Sequence, residues 1–197
     1  MSIALARIGV YCASTDGARP TYMAAARHFG RTLAERGIEL VYGGGRTGLM
    51  GALADAAMEA GGTVTGVMPH GLVEREVAHT GLTRLHVVDS MHTRKAMLAD
   101  MADAFVALPG GIGTLEEFFE TWTWAQLGVH RKPIGLLNID GFWDPLVGLI
   151  DHLSTEGFLR GTTRESLLVH DDGDAMLQAL AAFEPPQVRR WLMPGET

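Results

Sequence analysis

Short apolar runs alternate along this chain with longer amphipathic segments. The short runs have the length of β-strands, whereas the longer segments carry apolar residues at the three- and four-residue spacing of one helix face. This alternation is typical of an α/β fold in which helices cover both faces of a parallel sheet. The pattern predicts strands at Arg7–Ser14, Glu39–Tyr42, Thr63–Met68, Leu82–Val88, Ala104–Leu108, Pro133–Leu137 and Leu167–Val169. It predicts helices at Thr21–Glu35, Gly48–Ala60, Met91–Ala102, Thr114–Gln126, Trp143–Glu156 and Gly173–Phe183.

The segment Leu108–Glu120, LPGGIGTLEEFFE, carries the clearest chemical signal in the chain. The apolar run Ala104–Leu108 ends at Pro109, three glycines follow within five residues, and Thr114 begins an amphipathic helical pattern. Glycines let the backbone approach an anion closely, and the start of the next helix presents N–H groups and the positive end of its dipole. We therefore expect this strand, turn and helix to bind a nucleotide phosphate.

A second glycine cluster, VYGGGRTGLMG at Val41–Gly51, also lies where a strand gives way to a helix. Its candidate ligand-contacting residues are Gly44, Gly45 and Gly48. Because the carboxyl ends of parallel strands meet at one edge of a sheet, both glycine turns are expected to face the same crevice. Neither has the Walker spacing, and the turn after the first strand lacks Gly-x-Gly-x-x-Gly, so a mononucleotide fits better than a dinucleotide. Either cluster alone could be only a tight turn.

Two cations, Arg94 and Lys95, follow the fourth predicted strand in the segment SMHTRKAMLAD. Asp89 or Ser90 can cap the helix that carries them, which places both cations beside the ligand-binding edge. Both could be ordinary residues of a solvated helix surface. Their position favours function, because the planar Arg94 guanidinium can bind a phosphate or ribose oxygen through two hydrogen bonds and Lys95 can act as a point charge.

Two adjacent carboxylates, Glu116 and Glu117, fall in the first turn of the helix that follows the Pro109–Thr114 turn. The helix dipole alone favours negative charge at such positions. Adjacent helical residues point about 100° apart, so only one of the two is expected to face the crevice while the other meets solvent. The spacing does not decide which.

Composition and charge limit the function classes. The chain has 197 residues, 47% hydrophobic and 20% charged, which predicts one domain, placed at residues 1–184, and a C-terminal tail at 185–197. A net charge of −7 with scattered basic residues argues against a nucleic-acid partner. No apolar run reaches about 18 residues and the N-terminal segment lacks a signal-peptide pattern, so no membrane partner and a cytoplasmic location are expected.

The cysteine, histidines and tryptophans add no further chemistry to these expectations. The single cysteine, Cys12, cannot form an internal disulfide and is interpreted as a core residue. The histidines lack metal-ligand spacing, so no metal is expected. Trp122 and Trp124 lie on one predicted helix and, like the ten methionines, are interpreted as packing or dimer-interface residues.

Three motifs together resemble the Lonely Guy family of cytokinin-activating phosphoribohydrolases. They are PGGIGTLEE at Pro109–Glu117, MHTRK at Met91–Lys95 and GGGRTGLMG at Gly43–Gly51. The resemblance implies a Rossmann-like fold, a homodimer and no cofactor. It also implies a nucleoside 5'-monophosphate substrate, AMP or its N6-isopentenyl derivative, whose N-glycosidic bond is cleaved to give the free base and ribose 5-phosphate.

The same resemblance implies roles for individual residues. Arg94 and Glu117 become the catalytic pair, and Lys95 lies close to the 5'-phosphate. Glu76 and Thr123 match further substrate-contacting positions. The residues that cradle the phosphate are Gly110, Gly111, Gly113 and Thr114. Ala13 departs from the glycine usual in the turn after the first strand.

Cleavage of a ribosyl C–N bond explains why a carboxylate and a guanidinium would be paired. Positive charge builds on the sugar, and a carboxylate such as Glu117 can stabilise it while orienting or deprotonating the attacking water. Arg94 is expected to hold the phosphoribose and to lower the pKa of the Glu117 carboxyl. The general acid for the leaving base stays open between Glu74, Glu76 and a water molecule.

Two other classes of function remain open. A non-catalytic nucleotide or cofactor carrier of Rossmann-like fold would use the same glycine turns. A pyridoxal-dependent lysine decarboxylase, a label often given to similar proteins, needs a lysine for its Schiff base, and the chain offers only Lys95 and Lys132. Release of adenine from AMP distinguishes the hydrolase from the carrier, and an aldimine absorbance band would identify the decarboxylase.

Overall fold

The computed structural model describes residues 4–73 and 78–186, whose strands form one parallel sheet. The strands are β1 (Arg7–Tyr11), β2 (Glu39–Tyr42), β3 (Val64–Pro69), β4 (Arg84–Val88), β5 (Ala104–Ala107), β6 (Ile134–Leu137) and β7 (Leu167–His170). Their order in the sheet is β4-β3-β2-β1-β5-β6-β7. The predicted α/β fold and all seven predicted strands are confirmed. β1 ends at Tyr11 instead of Ser14 because the chain turns out of the sheet there, with the Ala13 amide donating to the Pro109 carbonyl.

The described helices are α1 (Pro20–Glu35), α2 (Gly48–Glu59), α3 (His70–Val73), α4 (Met91–Met101), α5 (Ile112–Gln126), α6 (Asp144–Thr155), α7 (Gly161–Glu165) and α8 (Gly173–Ala182). The six predicted helices are all confirmed. α3 and α7 were not predicted, because four or five residues are too few to show a helical periodicity. Within the described residues, none of the helices is long and apolar enough to cross a membrane.

The helices form two layers, one on each face of the sheet. Helices α1, α2 and α8 cover one face, where Phe29 and Leu53 pack against Ile8 of β1. Helices α4, α5 and α6 cover the other, where Phe118 packs with Phe105 of β5. Full burial of each such side chain contributes about 1.5–3 kcal/mol to folding. Because both faces are covered, central strands such as β3, β5 and β6 are buried along their whole length and are rich in apolar residues.

The topology directs ligands to one edge of the sheet. β1 pairs with β2 on one side and with β5 on the other, so the order of the chain through the sheet reverses at β1. In open parallel sheets such a switch point opens a crevice outside the carboxyl ends of the strands. Both glycine turns predicted to bind phosphate follow strands at this edge, Gly43–Gly45 after β2 and Pro109–Gly111 after β5.

The C-terminal part of the chain is described only as far as residue 186. Helix α8 ends at Ala182, three residues before Pro185. The rest of the predicted tail, Gln187–Thr197, lies outside the described residues. The division into a domain at 1–184 and a tail at 185–197 therefore stays a prediction.

Candidate active site

A cavity of about 560 Å³ lies at the carboxyl edge of the sheet, beside the switch point. The loops after β1 and β2, the end of β3 and the first turns of α4 and α5 all contribute to its wall. Its lining residues are Cys12, Ala13, Ser14, Thr15, Gly43, Gly45, Thr47, Met50, Met68, Leu72, Met91, Arg94, Gly111, Ile112, Gly113, Thr114, Glu116 and Glu117. The sequence-predicted phosphate turn and both predicted catalytic residues thus reach the same cavity.

The N-terminus of α5 forms one wall of the cavity. The amides of Ile112, Gly113 and Thr114 precede the first backbone bond of the helix, which joins the Leu115 amide to the Gly111 carbonyl. A Cβ atom on Gly111 or Gly113 would meet no atom within 4 Å, so the absence of side chains there leaves room for a ligand. This combination of N–H groups, helix dipole and open space suits an anion.

Gly110 has a different role from the two open glycines. A Cβ atom at Gly110 would lie 2.1 Å from Oγ1 of Thr114, whose side chain is buried. Gly110 therefore lets the turn close onto the first residues of α5. Of the four predicted cradle residues, three line the cavity and Gly110 shapes the turn behind them.

Arg94 and Glu117 form a buried ion pair. Nη1 of Arg94 lies 2.8 Å from Oε1 of Glu117, and each side chain is only 7% exposed. Nε of Arg94 donates to the carbonyl oxygen of Val67 at 3.1 Å. A Cβ atom on Gly43 would lie 2.3 Å from Nη2 of Arg94, so the guanidinium fits against that glycine. Helix α4, strand β3 and the turn after β2 together fix the guanidinium beside the carboxylate.

Burial determines the pKa of the Glu117 carboxyl. Desolvation raises this pKa, and the Arg94 guanidinium opposes the rise without cancelling it, so the net pKa lies above that of an ordinary glutamate. The sequence-based expectation that Arg94 lowers the pKa is right for the pairwise interaction and wrong for the net shift. A raised pKa makes Glu117 a better proton acceptor than an exposed carboxylate once it is ionised.

The neighbouring carboxylate, Glu116, has a different environment. Its side chain is 49% exposed, and Oε1 lies 2.6 Å from Nζ of Lys95. The same ammonium lies 3.0 Å from Oε1 of Glu120. Burial lowers the pKa of Lys95, but the hydrogen bonds to these two carboxylates outweigh it and raise the net pKa. The Lys95 ammonium is therefore bound by two carboxylates of α5, and Lys95 does not line the cavity.

The other candidate residues lie at varying distances from the cavity. Gly45 lines it. Gly44 and Gly48 have φ values of +80° and +60°, which favour glycine, and a Cβ atom on Gly48 would lie 2.3 Å from the backbone of Ser14. Thr123 is exposed on α5, outside the cavity lining. Glu76 and the alternative acid Glu74 lie outside the described residues.

The structure adds site residues that sequence reasoning did not single out. Gly43 seats Arg94 and the Val67 carbonyl orients it. Three methionines, Met50, Met68 and Met91, form an apolar wall. A backbone carbonyl has no sequence signal, and methionines at helical or strand positions cannot be told from core residues. Gly43 was within the glycine motif, so its inclusion was the one addition that the pattern could have supported.

Cys12 is buried, as predicted for a core residue, and burial raises the pKa of its thiol. Its backbone nonetheless lies at the end of β1, where the residue also contributes to the cavity wall. Across residues 4–73 and 78–186, no group of three or more histidine, cysteine, aspartate or glutamate side chains could hold a metal ion.

The strand order, the switch point and the glycine-lined crevice define a Rossmann-like α/β protein. A similar fold occurs in the molybdenum cofactor binding protein from Rippkaea orientalis, with a TM-score of 0.66, 20% identity, and coverage of 90% of this chain and 96% of that chain. The molybdenum cofactor carrier protein from Chlamydomonas reinhardtii gives a TM-score of 0.66 at 22% identity, covering 89% of this chain and 96% of that chain. At these identities the likeness concerns the fold alone.

Sequence relatives identify the family. Residues 50–180 match the family described as "Possible lysine decarboxylase". A cytokinin riboside 5'-monophosphate phosphoribohydrolase from Rhodococcoides fascians is 47% identical, over 91% of this chain and 89% of that protein. Its namesake from Oryza sativa subsp. japonica is also 47% identical, over 91% of this chain and 74% of that protein. The chain belongs to this family, the Lonely Guy family, and the resemblance seen in the three motifs is confirmed.

Proposed function

We propose that the protein hydrolyses the N-glycosidic bond of AMP or of N6-substituted (cytokinin) riboside 5'-monophosphates, releasing the free base and ribose 5-phosphate. The observation that carries this proposal is the buried ion pair of Arg94 and Glu117 in the same cavity as the open N-terminus of α5. The names of the relatives, which are 47% identical over most of the chain, support the same activity and substrate class.

Substrate binding starts at the phosphate. The first-turn amides of α5 and the space beside Gly111 and Gly113 suit the 5'-phosphate, and Gly45 of the turn after β2 lines the same cavity. Holding the phosphate there directs the ribose toward Glu117, which lies on the same helix. In this arrangement the binding group and the reacting carboxylate are fixed by one rigid element, which favours productive geometry.

The reaction then needs charge stabilisation and a nucleophile. The bond between the anomeric carbon and the base nitrogen breaks, its electron pair leaves with the base, and positive charge builds on the ribose. The Glu117 carboxylate stabilises that charge and accepts a proton from the attacking water, whose oxygen bonds to the anomeric carbon. The leaving base takes up a proton from Glu74, Glu76 or water, three sources that the proposal leaves open.

Arg94 is assigned two functions in this scheme. Its bonds to Glu117 and to the Val67 carbonyl keep the carboxylate oriented in a buried site. The guanidinium also lines the cavity, where it can bind an oxygen of the phosphoribose. Lys95 would have to leave Glu116 and Glu120 to contact the phosphate, so we assign its main role to holding α4 against α5.

We also propose a homodimer. One face of α5 beside the cavity exposes apolar side chains, with Ile112 87% exposed and Phe119 36% exposed. Thr123, a predicted substrate contact, is exposed on the same face, and a partner chain packed there would bring it into an enclosed site. Light scattering should give twice the mass of one chain. A monomer mass that does not change with concentration would contradict the dimer.

The cellular location is proposed to be the cytoplasm. The only cysteine of the chain, Cys12, is a free and buried thiol, which fits a reducing compartment. Fractionation of cells that produce the full chain, followed by detection in the soluble fraction, tests this location.

The contacts of the two lysines give little support to a lysine decarboxylase function. Nζ of Lys95 is bound by Glu116 and Glu120, and Nζ of Lys132 donates to the carbonyl oxygens of Ala99 and Asp100 at 2.6 and 3.2 Å. A Schiff-base lysine needs a free amine that faces the cofactor. Addition of pyridoxal phosphate should therefore give no stable aldimine absorbance band, and such a band would revive this reading.

Chromatography of the products tests the proposal. Incubation with AMP should yield adenine and ribose 5-phosphate in equal amounts, and a carrier would return AMP unchanged. Parallel reactions with isopentenyl-AMP compare the two kcat/KM values and decide between plain and N6-substituted nucleotides as the preferred substrate.

A further inference from the structure

The position of the Arg94 guanidinium depends on the shape of the turn Gly43–Gly45. Gly43 lies directly against the guanidinium, and Gly45 lines the cavity. Gly44, between them, has a φ of +80°. A small change in this turn would therefore move the surface on which the guanidinium rests.

The turn is held from inside the protein by Tyr42. The Tyr42 hydroxyl is buried and donates to the carbonyl oxygen of Gly45 at 3.1 Å. This bond fixes one end of the turn to the strand β2 that precedes it.

The turn is held from outside by the segment that precedes β4. The backbone amide of His79 donates to the carbonyl oxygen of Gly44 at 2.9 Å. Ala78 forms an isolated antiparallel bridge with Gly45. The position of the turn therefore depends on how firmly residues 78 and 79 are themselves fixed.

The His79 side chain supplies that fixation. Its ring is 13% exposed, and Nε2 lies 2.9 Å from Oδ1 of Asp55 on α2. Nδ1 accepts a hydrogen bond from the Gly81 amide at 3.1 Å, which leaves Nε2 as the nitrogen that donates to Asp55. Among the described residues that line the cavity the ring is absent, and its link to the Arg94 guanidinium runs through the backbone of the turn.

We infer that the hydrogen bond between His79 and Asp55 positions the Gly43–Gly45 turn and, through it, the Arg94 guanidinium for catalysis. His79 is a positioning residue in this scheme, because its side chain does not line the cavity. The inference rests on the proposed function, since its effect is measured on the cleavage of AMP.

Two conservative variants of His79 separate its two hydrogen bonds. In His79→Asn the amide oxygen can replace Nδ1 toward the Gly81 amide, but the side chain is too short to reach Asp55. In His79→Gln the amide nitrogen can replace Nε2 and keep the bond to Asp55. We expect kcat/KM for AMP to fall by about 10- to 100-fold in His79→Asn, as for a displaced catalytic group, and to stay within about threefold of the wild-type value in His79→Gln.

Asp55→Ala removes the same hydrogen bond from the other side and should match His79→Asn. It also serves if His79→Asn does not fold, since Asp55 is 45% exposed on a helix. Because both variants break one bond, the double variant should be no slower than either single variant. His152→Ala, on the exposed face of α6, is the matched control and should leave kcat/KM unchanged.

The pH dependence of kcat/KM separates positioning from simple stabilisation. A displaced Arg94 opposes the burial of Glu117 less, so the acid limb should move to higher pH in His79→Asn and Asp55→Ala and stay in place in His79→Gln. The inference would be overturned if His79→Asn and Asp55→Ala lowered Tm but left both kcat/KM and the acid limb unchanged. Failure of the wild-type protein to release a free base from either AMP or isopentenyl-AMP would instead overturn the proposed function.

Discussion

Two of the ion pairs that join α4 to α5 lie one residue apart on each helix, and they differ in almost every physical respect. The pair of Arg94 and Glu117 is buried, with 7% exposure on each side, and lies against Gly43 and the Val67 carbonyl. In the pair of Lys95 and Glu116, the carboxylate is half exposed and also lines the cavity, whereas Lys95 does not line it. The same residue classes on the same two helices therefore meet different environments, because a rotation of about 100° per residue buries Glu117 and leaves Glu116, which also lines the cavity, half exposed.

The two ion pairs also differ in the free-energy cost of placing their charges in the protein. A buried charge is expensive unless it is paired, so a buried pair at the carboxyl edge of a sheet points to chemistry more than to stability. An exposed pair costs little and contributes about 0–1 kcal/mol. We therefore propose that the buried pair takes part in the reaction and that the pair of Lys95 and Glu116 holds the two helices together.

Glu117→Gln should have the largest effect. Loss of the carboxylate removes both the stabilisation of the sugar cation and the proton acceptor, and kcat for AMP should fall by about 100-fold or more. Glu116→Gln is the matched control on the adjacent residue and should stay within about threefold of wild type. Equal losses in the two variants, measured by adenine release, would erase the distinction between the two pairs.

Arg94→Lys should have the second-largest effect on activity. An ammonium cannot bind Glu117, the Val67 carbonyl and a substrate oxygen in one plane, so kcat/KM should fall by about 10- to 100-fold and KM should rise. Initial rates over a range of AMP concentrations separate the two parameters. An unchanged KM would remove Arg94 from substrate binding.

The pH dependence of the wild-type enzyme tests whether the burial of Glu117 controls the reaction. Glu117 must be ionised to act, and burial raises its pKa, so log kcat/KM should rise with pH through an acid limb that lies above the 4.5 of an ordinary glutamate. Rates measured in steps across the acid range locate this limb. A profile that is flat down to the ordinary glutamate range would show that the burial of Glu117 does not control the reaction.

Lys95→Gln should have the smallest effect. Its two carboxylate partners remain on an exposed helix face, so we expect a decrease in Tm of about 2–4 °C and a KM for AMP within about twofold of the wild-type value. Thermal unfolding and steady-state kinetics on the same sample provide both values. A tenfold rise in KM would mean that Lys95 contacts the phosphate directly.

Much of the fold was predictable because its signals are local. Apolar runs such as Ala104–Leu108 and the helical spacing after Thr114 each fix one element, and the parallel topology places their carboxyl ends together. The short helices α3 and α7 were not predictable because four or five residues are too few to show a helical periodicity. The early end of β1 at Tyr11 was not predictable because it depends on the contact of Ala13 with the distant Pro109.

The site was predictable in type and only partly in detail. The glycine turns and the Arg94 and Glu117 motifs carried the chemistry, but spacing alone could not choose between Glu116 and Glu117. That choice needs the packing of α5 against β1, where the buried Tyr11 hydroxyl bonds Thr121 at 2.8 Å, one helical turn beyond Glu117. The Val67 carbonyl and the His79–Asp55 bond join segments far apart in the sequence and leave no local pattern.

The most direct test measures binding and turnover of AMP on Glu117→Gln in the same preparation. We expect the variant to bind AMP with an affinity near that of the wild-type protein and to leave it intact, while the wild-type protein converts AMP to adenine and ribose 5-phosphate. Adenine release by Glu117→Gln at a rate close to wild type would contradict the assignment of Glu117 as the reacting carboxylate.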